Sequence, residues 1–293
     1  MPTRNDPAPS ARLRNLLAEP GLLLVPSCFD ALSAKLIERA GFPVAFMSGF
    51  AVSAARLGLP DTGLISFGEL LDQGRNLCAA VKIPVIGDGD TGFGNAVNVK
   101  RTVEGYARAG FASVMIEDQV APKRCGHTAG KAVVPRAEAL TRIRAAVDAR
   151  EEGADILILA RTDARGPLGF DEALERCRAF ADLGADLLFP EAPLSEREME
   201  RFCSELPLPV MANMVEQGLT PVLAPARLEA LGFKLAAYPL TLLAAATRAM
   251  QQALAALRGE GAAPDRVGFA ELQEIVGFPD YDRELSRYGD TES

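Results

Sequence analysis

The stretch Val85-Ile86-Gly87-Asp88-Gly89-Asp90-Thr91-Gly92 changes character halfway, from a short apolar run to glycines carrying two carboxylates. An apolar run of that length bounded by turn residues reads as a strand buried on both faces. Acidic residues embedded in its terminal glycine loop are poor core material. The same form recurs on either side, at 22–25, 44–47, 113–116, 156–160, 187–189, 210–212 and 235–237. Amphipathic stretches at 31–40, 67–81, 97–109, 136–151, 170–183 and 196–206 alternate with these strands, and Gly41, Gly110, Gly184 and Gly232 stand where such helices stop. Eight βα units in a chain of 293 residues predict an α/β fold, a closed (β/α)8 TIM barrel.

The ends of the predicted strands carry the chemistry. Ser48-Gly49 follows strand two, Asp88 and Asp90 close strand three, and Glu117 closes strand four. Arg161-Thr162-Asp163 closes strand five, Glu191 follows strand six, Asn213 follows strand seven and Tyr238-Pro239 follows strand eight. Barrel active sites lie at the carboxyl ends of the strands, so one mouth gathers these groups. A stretch at 240–258 reads as a long Ala/Leu-rich helix, and 269–276 as a final helical piece after a Gly/Pro break. The domain division is therefore a barrel over 1–258 and a helical extension over 259–293, packed on the barrel or on a neighbouring subunit. Residues 1–14, polar and rich in Pro and Arg, read as a disordered lead-in.

Composition narrows the partners. A net charge of −8 with interspersed signs gives no footprint for nucleic acid or an anionic membrane, which favours small-molecule chemistry. The longest apolar run, 235–246, falls short of the roughly 20 residues a membrane span needs and is interrupted by Pro239. No apolar stretch near the start resembles a signal peptide. Five scattered cysteines without metal-type spacing point to reduced thiols and a cytoplasmic protein. Cys28, Cys78, Cys177 and Cys203 are expected to be packing residues.

Asp88, Asp90 and Glu117 on adjacent strands suggest a hard divalent cation with oxygen ligands, Mg2+ before Zn2+; helix caps and salt bridges are the plainer alternative. Such an ion would polarise the oxygens of a 2-oxo or 2-hydroxy acid while a neighbouring carbon–carbon bond breaks. Arg161 has the planar fork to neutralise a substrate carboxylate. The only histidine, His127, stands in Lys123-Arg124-Cys125-Gly126-His127. That segment alone reads as readily as a surface turn. Beside the acidic strand ends, it offers a thiol whose pKa Lys123, Arg124 and a protonated His127 would lower, making Cys125 an acid/base. Gly126 and Gly130 suggest a lid that excludes water.

These residues resemble the isocitrate lyase and phosphoenolpyruvate mutase superfamily, from about Leu22 to Arg258. The resemblance rests on Ser48-Gly49, Leu57-Gly58-Leu59-Pro60-Asp61, Asp88-Gly89-Asp90-Thr91-Gly92, Glu117-Asp118-Gln119, Lys123-Arg124-Cys125-Gly126-His127, Ala160-Arg161-Thr162-Asp163-Ala164, Phe189-Pro190-Glu191-Ala192 and Asn213-Met214-Val215-Glu216. It implies a magnesium-dependent barrel, with Mn2+ as a substitute, in a homotetramer whose C-terminal helices swap between paired subunits. It implies that Asp90 holds the metal with Asp61, Asp88 and Glu117 helping through water. Ser48, Gly49 and Arg161 then bind a pyruvyl part, Asn213 and Glu191 face the other fragment, and Cys125 in the gating loop 123–131 is the acid/base, tuned by Lys123, Arg124 and His127.

The Lys-Arg-Cys-Gly-His loop is similar to that of the carbon–carbon lyase branch. Pro239, where oxaloacetate hydrolases carry a serine, disfavours hydrolysis. Compared with methylisocitrate lyases, Phe50 replaces a glycine, Val215 a threonine, Ala244 an arginine and Phe46 a tyrosine. The first three make the pocket around Gly126, Val215 and Pro239 more apolar and remove partners for a distal carboxylate. The expected substrate is thus a small 2-hydroxy dicarboxylate, a 2-alkylmalate such as 2,3-dimethylmalate, cleaved to pyruvate and a short monocarboxylate. A 2-methylisocitrate lyase, an oxaloacetate hydrolase or decarboxylase, and a non-catalytic metabolite-binding barrel are the alternatives.

Overall fold

The computed structural model describes residues 7–124, 126, 127 and 130–289. Eight parallel strands follow one another: β1 (Leu23–Cys28), β2 (Ala45–Met47), β3 (Val85–Asp88), β4 (Ser113–Glu117), β5 (Leu157–Thr162), β6 (Leu187–Pro190), β7 (Met211–Asn213) and β8 (Leu235–Tyr238). They pair in the order β6-β5-β4-β3-β2-β1-β8-β7, and a parallel bridge from Leu188 to Val210 closes the ring. The helices are α1 (Pro9–Ala18), α2 (Ala31–Arg39), α3 (Gly49–Val52), α4 (Phe67–Ala80), α5 (Ala96–Ala109), α6 (Arg136–Glu151), α7 (Arg165–Leu168), α8 (Phe170–Asp182), α9 (Glu196–Glu205), α10 (Pro225–Leu231), α11 (Thr241–Leu257), α12 (Phe269–Val276) and α13 (Phe278–Ser286). The predicted (β/α)8 barrel is what forms.

Local sequence explains the alternation. Capping boxes at Asp30/Ser33, Ser66/Glu69 and Asn95/Asn98 start α2, α4 and α5 by satisfying first-turn amides. Gly110 stops α5 at a φ of 96° that a side chain would resist. Two apolar clusters result. One fills the layer between strands and helices, and includes Val114, Ile158, Tyr106 and Phe180. The other fills the barrel interior, with Val25, Phe46, Ile86, Met115, Leu159, Phe189 and Met211.

The expectation of a disordered lead-in over 1–14 is corrected from Pro9 onward, while residues 1–6 lie outside the described residues. Helix α1 sends a fully buried Leu13 into the interior cluster, with Leu16 and Leu17 packed beside it. Ser10 bonds Asp155 and Arg12 bonds the Lys82 carbonyl, both residues just ahead of strand starts. Lys234, just ahead of β8, reaches back to the Gly21 carbonyl at 2.8 Å. The helix therefore closes the end of the barrel opposite the strand termini. Its polar outer face hid it, because three leucines suffice to anchor it.

By internal contacts the chain divides into a unit ending at Leu243 and another from Ala244, so the boundary falls within α11 rather than at 258. The second unit holds the rest of α11, then α12 and the unforeseen α13, with Leu257, Phe269 and Tyr288 exposed. Among the described residues, no helix is long and apolar enough to cross a membrane. Burial pushes the Cys28 thiol up to about 12 and raises Cys177 likewise, as expected of packing cysteines.

Candidate active site

Strand register assembles the mouth. Glu117 and Arg161 are direct neighbours across β4 and β5, and Asp88 pairs with Met115 across β3 and β4. The carboxylate of Asp88 accepts hydrogen bonds from the backbone N–H of Gly49 at 3.1 Å and of Asp90 at 3.1 Å. Its own carbonyl accepts from the buried Tyr106 hydroxyl at 2.6 Å. A side chain at position 49 would stand 2.6 Å from Asp88 Oδ2, so glycine is required for the carboxylate to lie this close. The Gly49 amide expected on the substrate is therefore committed to Asp88. Ser48 caps α3, its Oγ accepting from the Ala51 N–H.

The ammonium of Lys123 is held on the acidic side of the mouth. It lies 2.7 Å from Asp61 Oδ1 and 2.7 Å from Asp90 Oδ1, with all three side chains buried. Burial pushes Asp90 up to about 7, with Lys123 opposing and Asp88 and Asp61 adding to the rise. Burial pulls Lys123 down, but the carboxylates of Asp90, Asp88, Asp61 and Glu117 outweigh it and raise the ammonium well above its usual range. Glu117 Oε2 lies 3.3 Å from Arg161 Nε, while Oε1 is buried without a hydrogen-bond partner. Burial lifts this carboxyl well above the usual carboxylate range despite Arg161.

Among the described residues, no group of three or more acidic, His or Cys side chains is placed to hold a metal ion. Each of the three carboxylates at the strand ends holds a partner of its own. Asp88 faces backbone amides, Asp90 faces Lys123 and Glu117 faces Arg161. The donor set still fits a hard divalent cation. It is all oxygen, it leaves Glu117 Oε1 unpaired, and the Lys123 ammonium stands as a cation between Asp61 and Asp90.

On the other side of the mouth, Arg161 is held by three carboxylates. Asp163 Oδ2 lies 2.8 Å from Nε, Glu191 Oε2 lies 3.2 Å from Nη2, and Glu117 completes the set. The Phe189 ring flanks the guanidinium at 5.1 Å. Asp118 buttresses the end of β5, accepting from Thr162 Oγ1 at 2.6 Å, the Asp163 N–H at 2.9 Å and the buried Arg176 at 2.9 Å. Burial works against Glu191, but Arg161 and the hydrogen bond from His127 hold its carboxyl far below the usual range. It accepts from Asn213 Nδ2 at 3.0 Å.

His127 has a defined tautomer. Its Nδ1 accepts the Leu219 backbone N–H at 3.0 Å, so the ring proton sits on Nε2, 3.1 Å from Glu191. Arg124 is exposed; its backbone N–H and carbonyl are both bound by the buried Gln119 side chain. Cys125 lies outside the described residues.

One pocket is lined by Ser48, Phe50, Asp61, Asp88, Lys123, Arg124, Gly126, His127, Arg161, Glu191, Asn213, Val215 and Pro239. Asp90, Glu117 and Gly49 stand behind this lining. Sequence reading missed the apolar walls Met115, Phe189, Met211, Ala237 and Leu240. It also gave no role to Asp163, whose signal was its place two residues after Arg161. Ala244 is exposed on α11.

A family model described as phosphoenolpyruvate phosphomutase matches residues 13–258. The 2,3-dimethylmalate lyase of Eubacterium barkeri is 44% identical over 92% of this chain and 94% of its own. A 2-methylisocitrate lyase of Aeropyrum pernix is 39% identical over 95% and 92%. Among solved structures, oxaloacetate acetylhydrolase with 3,3-difluorooxalacetate superposes at a TM-score of 0.92 with 35% identity, covering 97% of this chain and 99% of that one. A 2,3-dimethylmalate lyase gives 0.92 with 34% identity over 98% and 99%. A phosphonopyruvate hydrolase with oxalate and Mg2+ gives 0.85 with 30% identity over 96% and 99%.

Proposed function

We propose, on the premise that this chain belongs to the phosphoenolpyruvate phosphomutase family, that it is a carbon–carbon lyase cleaving a 2-alkylmalate to pyruvate and a short monocarboxylate. The observation that carries the substrate is the apolar part of the pocket's lining. Phe50, Val215, Pro239 and Leu240 form it without a cation, and the pocket's cations, Lys123, Arg124 and Arg161, come from other loops. Alkyl groups gain from that wall, whereas the third carboxylate of a methylisocitrate would lose hydration there without a partner. The similarity to 2,3-dimethylmalate lyase points the same way.

Magnesium, held by Asp90, Asp88, Asp61 and Glu117, would supply a positive charge that acidifies the substrate's 2-hydroxyl and holds its neighbouring carboxylate. Arg161 then binds the carboxylate at C1, its plane fixed by Asp163. Ionised Glu191 keeps Asn213 and His127 in place facing the second carboxylate. In the reaction the 2-hydroxyl passes its proton to a carboxylate of the acidic side of the pocket, the C2–C3 electron pair passes to C3 and its carboxylate, and pyruvate forms. C3 must then be protonated from the side of the loop, a role the motif assigns to Cys125. The pocket's apolar walls keep bulk water from supplying that proton instead. The exposed apolar residues of the second unit support a homotetramer, and the reduced cysteines a cytoplasmic setting.

Pyruvate release from racemic 2,3-dimethylmalate and from 2-methylisocitrate, each with and without EDTA, tests this reading. The expected result is a kcat/KM at least about tenfold higher for dimethylmalate, worth about 1.4 kcal/mol of discrimination, abolished by EDTA and by Cys125→Ser. Faster cleavage of methylisocitrate, or oxalate formed from oxaloacetate, overturns the substrate; full turnover by Cys125→Ser overturns the proton donor.

A further inference from the structure

We infer that Lys131 is a positioning residue for Arg161, an inference that rests on the reading of Arg161 as the substrate-carboxylate site. The Lys131 side chain is 5% exposed, far from the free solvation a lysine ordinarily keeps. Its ammonium makes two bonds, to the Gly126 carbonyl at 2.6 Å and to Asp163 Oδ1 at 2.8 Å. Both partners touch Arg161. Asp163 Oδ2 accepts from Nε at 2.8 Å, and Oδ1, the oxygen Lys131 takes, is 3.2 Å from Nη2. At Gly126, a side chain would stand 2.4 Å from Arg161 Nη2 and 2.7 Å from Glu191 Oε2, so this backbone lies directly against the guanidinium.

Lys131 thus decides two things about Arg161. By drawing on Oδ1 it keeps Asp163 from closing both oxygens equally on the guanidinium, which leaves Nη2 turned toward the pocket and Glu191. By holding the Gly126 carbonyl it fixes the backbone that walls the other side of Nη2. Asp163 is buried, which opposes ionisation, yet Arg161 and Lys131 together hold its carboxyl below the usual range, so the pair acts on a charged group. Without Lys131, Asp163 binds Arg161 alone and competes harder with the substrate carboxylate for the same donors.

The test compares wild type, Lys131→Met and Lys131→Arg. Oxalate with Mg2+ is the probe, because its carboxylate-plus-oxygen pattern matches the pyruvyl end alone, and calorimetry reads its Kd without turnover. Lys131→Met is expected to weaken oxalate binding about 10- to 100-fold, the range seen when an outer hydrogen-bond partner of a ligating group is lost. KM for the 2-alkylmalate rises with it while kcat falls less, and Lys131→Arg returns both to within about threefold of wild type, since another cation can still reach Asp163. A Lys131→Met protein with unchanged oxalate Kd and KM overturns the inference, whatever its melting temperature. Equal loss in Lys131→Arg does so too. Should Lys131→Met fail to fold, Lys131→Gln takes its place in the same comparison. If wild type binds oxalate but releases no pyruvate from any 2-alkylmalate, the functional reading fails while the oxalate measurements still decide Lys131.

Discussion

Gly49→Ala places one methyl group against the carboxylate on which the acidic side of the mouth turns. The new Cβ would stand 2.6 Å from Asp88 Oδ2 and 3.2 Å from its Cγ, where ordinary contact begins at 3.4 Å. The carboxylate must therefore retreat by about 0.8 Å (3.4 − 2.6). It has little room to do so smoothly, because the Asp90 N–H holds its other oxygen and the Tyr106 hydroxyl holds its backbone. A misplacement near 1 Å costs about 100-fold in rate, or roughly 2.7 kcal/mol of transition-state stabilisation. The fold should tolerate the change, since position 49 opens α3 and alanine favours helix over glycine. Pyruvate release measured over a Mg2+ series is expected to show kcat/KM down about 100-fold and a raised Mg2+ requirement, with an unchanged melting curve. A kcat/KM within threefold of wild type would refute the argument that Asp88 must sit where only glycine allows it.

Leu13→Ala removes the fully buried side chain with which α1 closes the far end of the barrel. Urea denaturation should show a loss of about 2–5 kcal/mol with kcat/KM unchanged; unchanged stability would mean that the helix is an ornament. Glu172 accepts from Arg136 Nε at 3.1 Å and Arg176 Nε at 2.8 Å, which lower its carboxyl from 4.5 to about 2. A depressed folded-state pKa contributes stability in full above the ordinary value and loses it as pH falls toward 2. Circular dichroism from pH 5 to 2 should therefore show a shallower acid loss for Glu172→Gln than for wild type, and parallel curves would contradict the assignment.

The barrel was legible because each strand announces itself within five residues. Val85-Ile86-Gly87-Asp88 is apolar where both faces are covered and acidic where the strand meets the mouth, and the other strands repeat that grammar. Asp88, Glu117, Arg161, Glu191 and Asn213 were found by position alone, because a polar residue ending a buried strand has nowhere else to point. Helix α1 was not legible, since its few apolar residues gain their meaning only from the open barrel end they fill. Leu240 was missed for a related reason: an apolar residue after β8 gives no signal of facing substrate rather than core.

The sequence by itself determined the eight βα units, the set of groups at their carboxyl ends and the apolar replacements that shape the pocket. Local apolar pattern, caps and turn residues suffice for these, because each acts over a few neighbouring positions. Only the tertiary structure decided which charges meet. The Lys123 ammonium lies between Asp61 and Asp90, the first of them 62 positions away. His127 donates its Nε2–H to Glu191 because Leu219, 92 positions on, occupies the other ring nitrogen. Several carboxylates were within reach of each cation in sequence, and burial lets each cation satisfy only those that the closed barrel brings within about 3 Å.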